Sequence, residues 1–445
     1  MSETTTWRFP AAFWIANSIE LFERAAYYGT FITLALFLTR VVGFTDVQAG
    51  WIGALFSSMI YFLPFFTGAI ADRIGFRWAL ALAFALLTIG YSTLGLYPVK
   101  LPVLLSLALI VLGGSFVKPI ITGTVAKSSD ATNRARAYSL FYMMVNIGSF
   151  SGKTIAKPVR VDLGLDHVPL YSAGAAFLAL LVVLVAYWPK EDPDARPRNI
   201  DDTLRGMWTA LTNVRFLALI LITAGFWAIQ GQLYASMPKY VLRLVGEHAS
   251  PEWYANINPF VVVLLVVPIT QLVRKMSPVK AIGIALLLVA FSPLTMAMAH
   301  VIHGRITLFG QSLHPITIMM IVGIAIQGVA ECFLSPRYLE FASKQAPKGQ
   351  EGLYLGYAQT NTFFAWFFGF VLSGYLLEAF CPDPKTLAPA VQAQYHAAMA
   401  GHGPLPAAYA HAYYLWYVFA GIGLVAFVAL LIFHQVTSRL DARRG

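Results

Sequence analysis

Charge is scarce in this chain. Of 445 residues, 12% are Asp, Glu, Lys or Arg, about half the share of a soluble domain, while 58% are hydrophobic. That shortage excludes a solvated globular enzyme or binding module. Cysteine is scarcer still: Cys332 and Cys381 are too few for a disulfide framework and do not have metal-ligand spacing. No His-Glu-x-x-His, no Gly-x-Ser-x-Gly and no Cys/His cluster occurs, so a membrane-embedded hydrolase or metal enzyme is disfavoured and no cofactor is implied. Residues 1–10 show no basic run leading into a short apolar core with a small-residue cleavage site, so the first apolar stretch is expected to stay in the protein.

What the chain has instead is apolar stretches near or above the length needed to cross a bilayer, about 20 residues. Twelve begin near Ala11, Gln48, Trp78, Pro102, Arg136, Val168, Val214, Asn256, Pro278, Pro315, Leu353 and His411. One polar, Pro-rich run, Pro189-Lys-Glu-Asp-Pro-Asp-Ala-Arg-Pro-Arg198, divides them six and six. An all-α membrane protein of twelve transmembrane helices is therefore expected, with an N-terminal six-helix bundle over 1–188, a linker over 189–213 and a C-terminal six-helix bundle over 214–445. The net charge of +10 is read as an orientation signal and not as a nucleic-acid footprint. One set of alternating loops with the C-terminal tail carries seventeen Lys and Arg, the opposite loops eight, which places both termini in the cytoplasm under the positive-inside rule. The expected setting is a plasma membrane, the inner membrane of a bacterium, with the lipid bilayer as partner and the protein a monomer.

Two six-helix bundles joined by a cytoplasmic linker match the layout of major facilitator transporters, whose halves rock about a central site. The loop Gly68-Ala-Ile-Ala-Asp72-Arg73-Ile-Gly75-Phe-Arg77 resembles that superfamily's cytoplasmic signature. Glycine permits the tight turn, and Asp72, Arg73 and Arg77 are gating candidates because such side chains bind helix ends.

The costliest residues lie in the first stretch, where Glu20, Glu23 and Arg24 interrupt apolar sequence. A charge in hydrocarbon costs roughly 2.5 to 3.5 kcal/mol on insertion scales, so it persists where it pairs, faces water or carries substrate. Glu20 and Arg24 are four apart on one helix face, and Glu23 lies a turn from Glu20 and Tyr27. Lys118 falls mid-span, beyond easy reach of an interface, and Glu20 and Glu23 are the expected partners for its ammonium. Such an ion-pair cluster exchanges partners when a proton or charged solute arrives, because removing one member leaves a buried charge uncompensated at about 3 to 5 kcal/mol.

The motif Glu20-Leu-Phe-Glu23-Arg24-Ala-Ala-Tyr27-Tyr28-Gly29 resembles the first-helix signature of the proton-coupled oligopeptide transporter family. The likeness continues through Tyr61 with Pro64, Gly113-Gly114-Ser-Phe-Val-Lys118-Pro119 and Phe141-Tyr142 with Asn146 and Gly148-Ser149. In the second half it runs through Phe226-Trp227, Asn258-Pro259-Phe260, and Glu331 with Ser335-Pro336 and Ala346-Pro347. The resemblance implies proton-coupled symport of di- or tripeptides. Proton coupling would involve Glu20, Glu23, Arg24, Lys118 and Glu331. Arg24 and Lys118 would attract the substrate carboxylate and Glu331 its amino group. Tyr27, Tyr28, Tyr61, Asn146 and Asn258 would bond its backbone, and Trp227 and Trp366 would line pockets for its side chains.

Two departures matter. Phe31 stands where the family usually has an arginine, and Gln230 where it usually has an acid in the seventh span. With that gate pair deleted as a unit, outer closure is expected to rest on apolar and amide contacts, with Gln230 among the substrate-contacting residues. Lys153 has no family counterpart. It lies seven residues after Asn146 on nearly the same face, at a depth close to that of Phe31, and is a candidate replacement for the missing cation; the alternative is that its long side chain snorkels to the interface. The alternative substrate is a non-peptide organic anion or zwitterion, for which Arg24 and Lys118 suffice as an anchor.

Overall fold

The computed structural model describes residues 8–130, 133–189, 200–308, 310–344 and 356–442. Linker residues 190–199, Ala346-Pro347, Leu353 and the tail arginines Arg443 and Arg444 lie outside them.

Apolar backbone in hydrocarbon must satisfy its own hydrogen bonds, and a helix does this within one segment. The first half accordingly folds as α1 (Ala11–Arg40), α2 (Asp46–Phe62), α3 (Pro64–Ile74), α4 (Phe76–Leu96), α5 (Lys100–Lys127), α6 (Arg134–Pro158) and α7 (His167–Ala186). Then follow α8 (Ile200–Thr212), α9 (Val214–Gln230), α10 (Gln232–Ala235), α11 (Met237–Leu244), α12 (Pro251–Tyr254), α13 (Ile257–Leu272), α14 (Pro278–Ala297) and α15 (Pro315–Lys344). The last three are α16 (Thr360–Phe380), α17 (Pro389–Met399) and α18 (Tyr414–Ala442). A small antiparallel hairpin, Ile306–Leu308 with Gln311–Leu313, precedes α15.

Among the described residues nine helical segments are long and apolar enough to span, and α2 with α3, bent by 48°, makes a tenth. α1 and α6, 30 and 25 residues long, lie where the sequence places two further spans, so the fold is consistent with twelve, but their polar and charged residues keep them below the same apolar threshold. The observed starts fall within a few residues of the expected ones wherever they are described. The bend between α2 and α3 lies at Leu63, immediately before Pro64, which has no N–H to continue the α2 ladder.

Two compact units emerge, one of residues 1–44 and 59–205, the other of 45–58 and 206–445. In the first, α1 packs on α6 and α7, and α4 on α5 and α7. Close approach of α1 and α6 depends on glycine. A Cβ on Gly148 would come within 2.7 Å of Arg24 Cβ, and one on Gly152 within 2.9 Å of Ala25 Cα, so α6 lies backbone to backbone against the charged turn of α1. Polar links then fix α1 to α7: Thr30 donates to Ser172 Oγ at 2.7 Å, and Ser172 donates to the Ala26 carbonyl at 2.7 Å. In α5, Pro119 cannot donate to the Ser115 carbonyl, and Thr67 Oγ1 donates to it at 2.8 Å. That substitution holds the turn carrying Lys118. In the second unit, α14 packs on α15 and α18, α13 on α15, and α9 on α16 and α18.

Candidate functional site

In the first unit, the expected cluster forms around Arg24. Its Nε donates to Glu23 Oε2 and stands 3.3 Å from Glu20 Oε1. Both glutamates are 2% exposed, so neither faces lipid or solvent. The pairing differs from expectation in one respect: neither glutamate pairs directly with Lys118. Arg24 sits on the same helix at i+4 and i+1, and local geometry gives it first claim on both carboxylates. Lys118 is instead exposed, its ammonium 5.8 Å from the Tyr61 ring centre and close enough for its charge to act on Glu20 and Glu23.

Arg24, Lys118 and Lys153 each lie near a tyrosine ring. Arg24 Cζ is 5.4 Å from the Tyr27 ring centre and 5.9 Å from that of Tyr28, and Lys153 Nζ is 5.6 Å from the Tyr28 ring centre. Such contacts stabilise a desolvated cation by up to about 2 kcal/mol. Lys153 is 1% exposed. It does not snorkel; α6 is held against α1 by Gly148 and Gly152, and the next side chain along meets Tyr28. Phe31, at the position of the missing arginine, is buried and stacks on Tyr27 at 5.1 Å. Arg24 and Lys118 thus act on the two carboxylates, and Lys153 lies against Tyr28. Asn146 is not drawn into the cluster, because its amide donates to the Tyr142 carbonyl of its own helix at 2.8 Å.

The second unit gathers three helices around one carboxylate. Gln230 of α9 donates to Glu331 Oε2 of α15 at 2.7 Å, and Asn258 of α13 donates to the same oxygen at 3.3 Å. Gln230 and Asn258 are buried, Glu331 half-buried. Where the family pattern has a second acid, this chain has an amide donor, so two carboxylates do not repel here. Trp366 of α16 packs against Gly231, 3.4 Å from the position its Cβ would take, and is 5% exposed; Trp227 is half-buried and meets Phe226 edge-on.

Of the gating candidates, Arg77 behaves as its chemistry suggests. It donates to the Leu184 carbonyl in the last turn of α7 at 2.6 Å and stacks on Trp188 at 3.3 Å, a cation at a helix C-terminus. Asp72 and Arg73 are exposed.

One ionic cluster was not anticipated. At the start of α2, in the second unit, Asp46 accepts from Lys239 Nζ at 2.8 Å and from Arg243 Nη1 and Nη2 at 2.8 and 3.0 Å. Arg243 also donates to Asp383 at 3.3 Å and to the Cys381 carbonyl at 2.6 Å. The available signal was the four-residue spacing of Lys239 and Arg243, which puts both cations on one face of α11.

The Major Facilitator Superfamily model matches residues 18–310 of the chain. The protein belongs to the major facilitator superfamily. Among curated relatives of this superfamily member, dipeptide and tripeptide permease A of Erwinia pyrifoliae is 26% identical over 241 residues, covering 51% of this chain and 46% of the permease. Dipeptide and tripeptide permease B of Shigella dysenteriae is 27% identical over 245 residues, 53% of this chain and 48% of the relative. The chain therefore spans about half the length of these two. Multidrug resistance protein MdtH of Cronobacter sakazakii is 24% identical over 79% of this chain and 83% of its own length. Among solved structures, a peptide transporter POT in complex with sulfate matches with TM-score 0.73 at 20% identity over 97% of this chain and 95% of that one. A POT family transporter in complex with 5-aminolevulinic acid matches with TM-score 0.72 at 19% identity, covering 97% and 96%. These likenesses establish the major facilitator fold of an all-α, multi-pass membrane protein.

Proposed function

We propose that the protein is a secondary active transporter of the oligopeptide transporter family, coupling protons to symport of di- or tripeptides, or a similar small zwitterion, by alternating access. The observation that carries this reading is the opposite sign of the polar sites in the two units. The first unit gathers the cations Arg24, Lys118 and Lys153, each near a tyrosine ring. The second presents the Glu331 carboxylate fixed by Gln230 and Asn258. Taken separately, the first site suits a carboxylate and the second an ammonium.

In this reading Arg24, Lys118 and Lys153 take the carboxylate, Glu331 takes the amino group, and Tyr27, Tyr28, Tyr61, Asn146 and Asn258 serve the peptide backbone. Trp227 and Trp366 tolerate varied side chains. Lys153 restores the positive charge lost at Phe31. Both termini face the cytoplasm of a bacterial inner membrane, from the unequal loop charges. The similarity of the dipeptide and tripeptide permeases supports the substrate class.

A thermal-shift screen of purified protein tests it, since a ligand that favours the native state raises the melting temperature. Di- and tripeptides are compared with amino acids, organic acids and sugars at two pH values. Stabilisation by peptides is expected; stabilisation by sugars alone overturns the assignment, and stabilisation by organic acids but not peptides selects the alternative of a non-peptide anion carrier. Lys153→Gln should weaken peptide affinity, and unchanged affinity removes Lys153 from the site.

A further inference from the structure

Three of the nine histidines, His300, His303 and His314, meet Arg305 in one cavity of about 440 Å³ in the second unit. It lies where α14 has ended and α15 begins, and α11 and the segment before α18 close its other side. Glu331, the carboxylate of the site already described, does not line it. That residue is further along α15, about 25 Å from His314 by helix rise, so the two are separate places.

The backbone orients the polar groups of the cavity. Pro315 opens α15 without an N–H, and the Ile316 N–H donates to His314 Nδ1 at 3.2 Å. A ring nitrogen that accepts carries no proton, so Nε2 of His314 carries it and is a donor. His300 is held by the opposite choice: its Nδ1 bonds the Ala297 carbonyl, which can only accept, at 2.7 Å. Its ring then lies parallel to that of Tyr413, centroids 3.7 Å apart and planes 4° apart, and the pair makes a flat wall. Arg305 Nη2 donates to the Ser312 carbonyl across the small hairpin at 2.9 Å. This tethers the guanidinium while using one of its five hydrogens.

No carboxylate lines the cavity among the described residues. Asp383, whose charge reaches the Tyr409 wall, is paired with Arg243 at 3.3 Å. Burial, and after it the charge of Arg305, hold the His314 pKa below the ordinary 6.5, the response of a base to positive charge with no acid beside it. An anion therefore fits, and an ammonium finds no carboxylate to receive it. That absence sets the cavity apart from a site for a zwitterion. We propose that it is a second binding site, taking a monocarboxylate with an aromatic body. The carboxylate lies on Arg305 and His314 Nε2, and the ring lies against the His300 and Tyr413 wall. The volume is within the range of small-molecule sites. This goes beyond the transport reading and stands without it.

Phenylpropanoate, phenylalanine and phenethylamine share one skeleton and differ in charge. In the purified full chain at neutral pH, carbethoxylation of histidines by diethyl pyrocarbonate, read by mass spectrometry, reports occupancy. His300 and His303 are exposed and line the cavity; His248 and His402 are exposed and do not. Phenylpropanoate should slow modification of His300 and His303 while leaving His248 and His402 unchanged. Phenylalanine should need at least tenfold more for the same protection, and phenethylamine should give none. Arg305→Gln should raise the half-protecting concentration of phenylpropanoate at least tenfold, the loss of a charge-assisted hydrogen bond. Tyr413→Leu, which removes half of the wall and leaves the cation, should weaken phenylpropanoate while keeping the preference for acid over amine. It also serves if Arg305→Gln does not fold. Absence of protection, equal protection by the zwitterion or the amine, or protection unchanged by Arg305→Gln in protein that elutes as the parent does overturns the proposal. If protection holds while no peptide is carried, this site stands and the transport reading fails.

Discussion

Asp46→Asn is the sharpest probe of the second unit. The Asp46, Lys239 and Arg243 side chains are 2 to 3% exposed, and Asp46 accepts three hydrogen bonds from the two cations. Removing its charge leaves Lys239 and Arg243 sharing one acid, Asp383, which is 13% exposed and reaches only Arg243 at 3.3 Å. An uncompensated buried charge costs about 3 to 5 kcal/mol, and solvent screening is slight at this burial. For a unit of this size, each kcal/mol lowers Tm by roughly 2 to 4 °C, so a loss of about 6 to 20 °C is expected in scanning fluorimetry of the detergent-solubilised protein. Asp46→Asn with Lys239→Met removes both the surplus charge and its donor, and should recover at least half of that loss. The cycle of the two single variants and the double isolates the pairing energy. A single-variant loss below about 3 °C, or strictly additive effects, refutes the claim that this cluster is a buried charge balance.

Two further outcomes follow from close packing and from titration. Gly152→Leu drives a side chain into the backbone of α1 beside Glu23 and Arg24, and should abolish monodisperse protein in size-exclusion chromatography; Gly114→Ala is the control, since a Cβ there meets nothing within 4 Å. His314 accepts the Ile316 N–H at 3.2 Å through Nδ1, and burial, with Arg305 nearby, holds its pKa below the ordinary value of 6.5. A depressed histidine binds its proton more readily in the unfolded chain, so its contribution is present above pH 6.5 and lost as pH falls through the lowered value. His314→Asn keeps an acceptor and cannot titrate, and should flatten the fall of Tm between neutral and acid pH; an unaltered acid limb counts against it.

Most of the fold was legible because hydrocarbon imposes a simple rule on each segment separately: about 20 apolar residues, helical, with breaks at proline. α1 and α6 were read by the same rule, although Glu20, Glu23 and Arg24 in the first and polar residues in the second make them less apolar than the others. The pairings were harder to read. Lys118 was matched to Glu20 and Glu23 on the sign of its charge, yet Arg24, on the same turn as both, holds them without crossing to another helix. Asp46 and Lys239 are 193 positions apart, and nothing local in either segment specifies the other. Lys153 could be assigned a face and a depth from helical period, but its burial depends on how closely Gly148 and Gly152 admit α1.

Uptake of a labelled dipeptide by proteoliposomes under an imposed inward proton gradient tests the central claim most directly. Accumulation above equilibrium is expected, collapsing with a protonophore and competed by unlabelled di- and tripeptides but not by sugars. Dipeptide entry that ignores the gradient, or none at all while exchange of another solute proceeds, contradicts it.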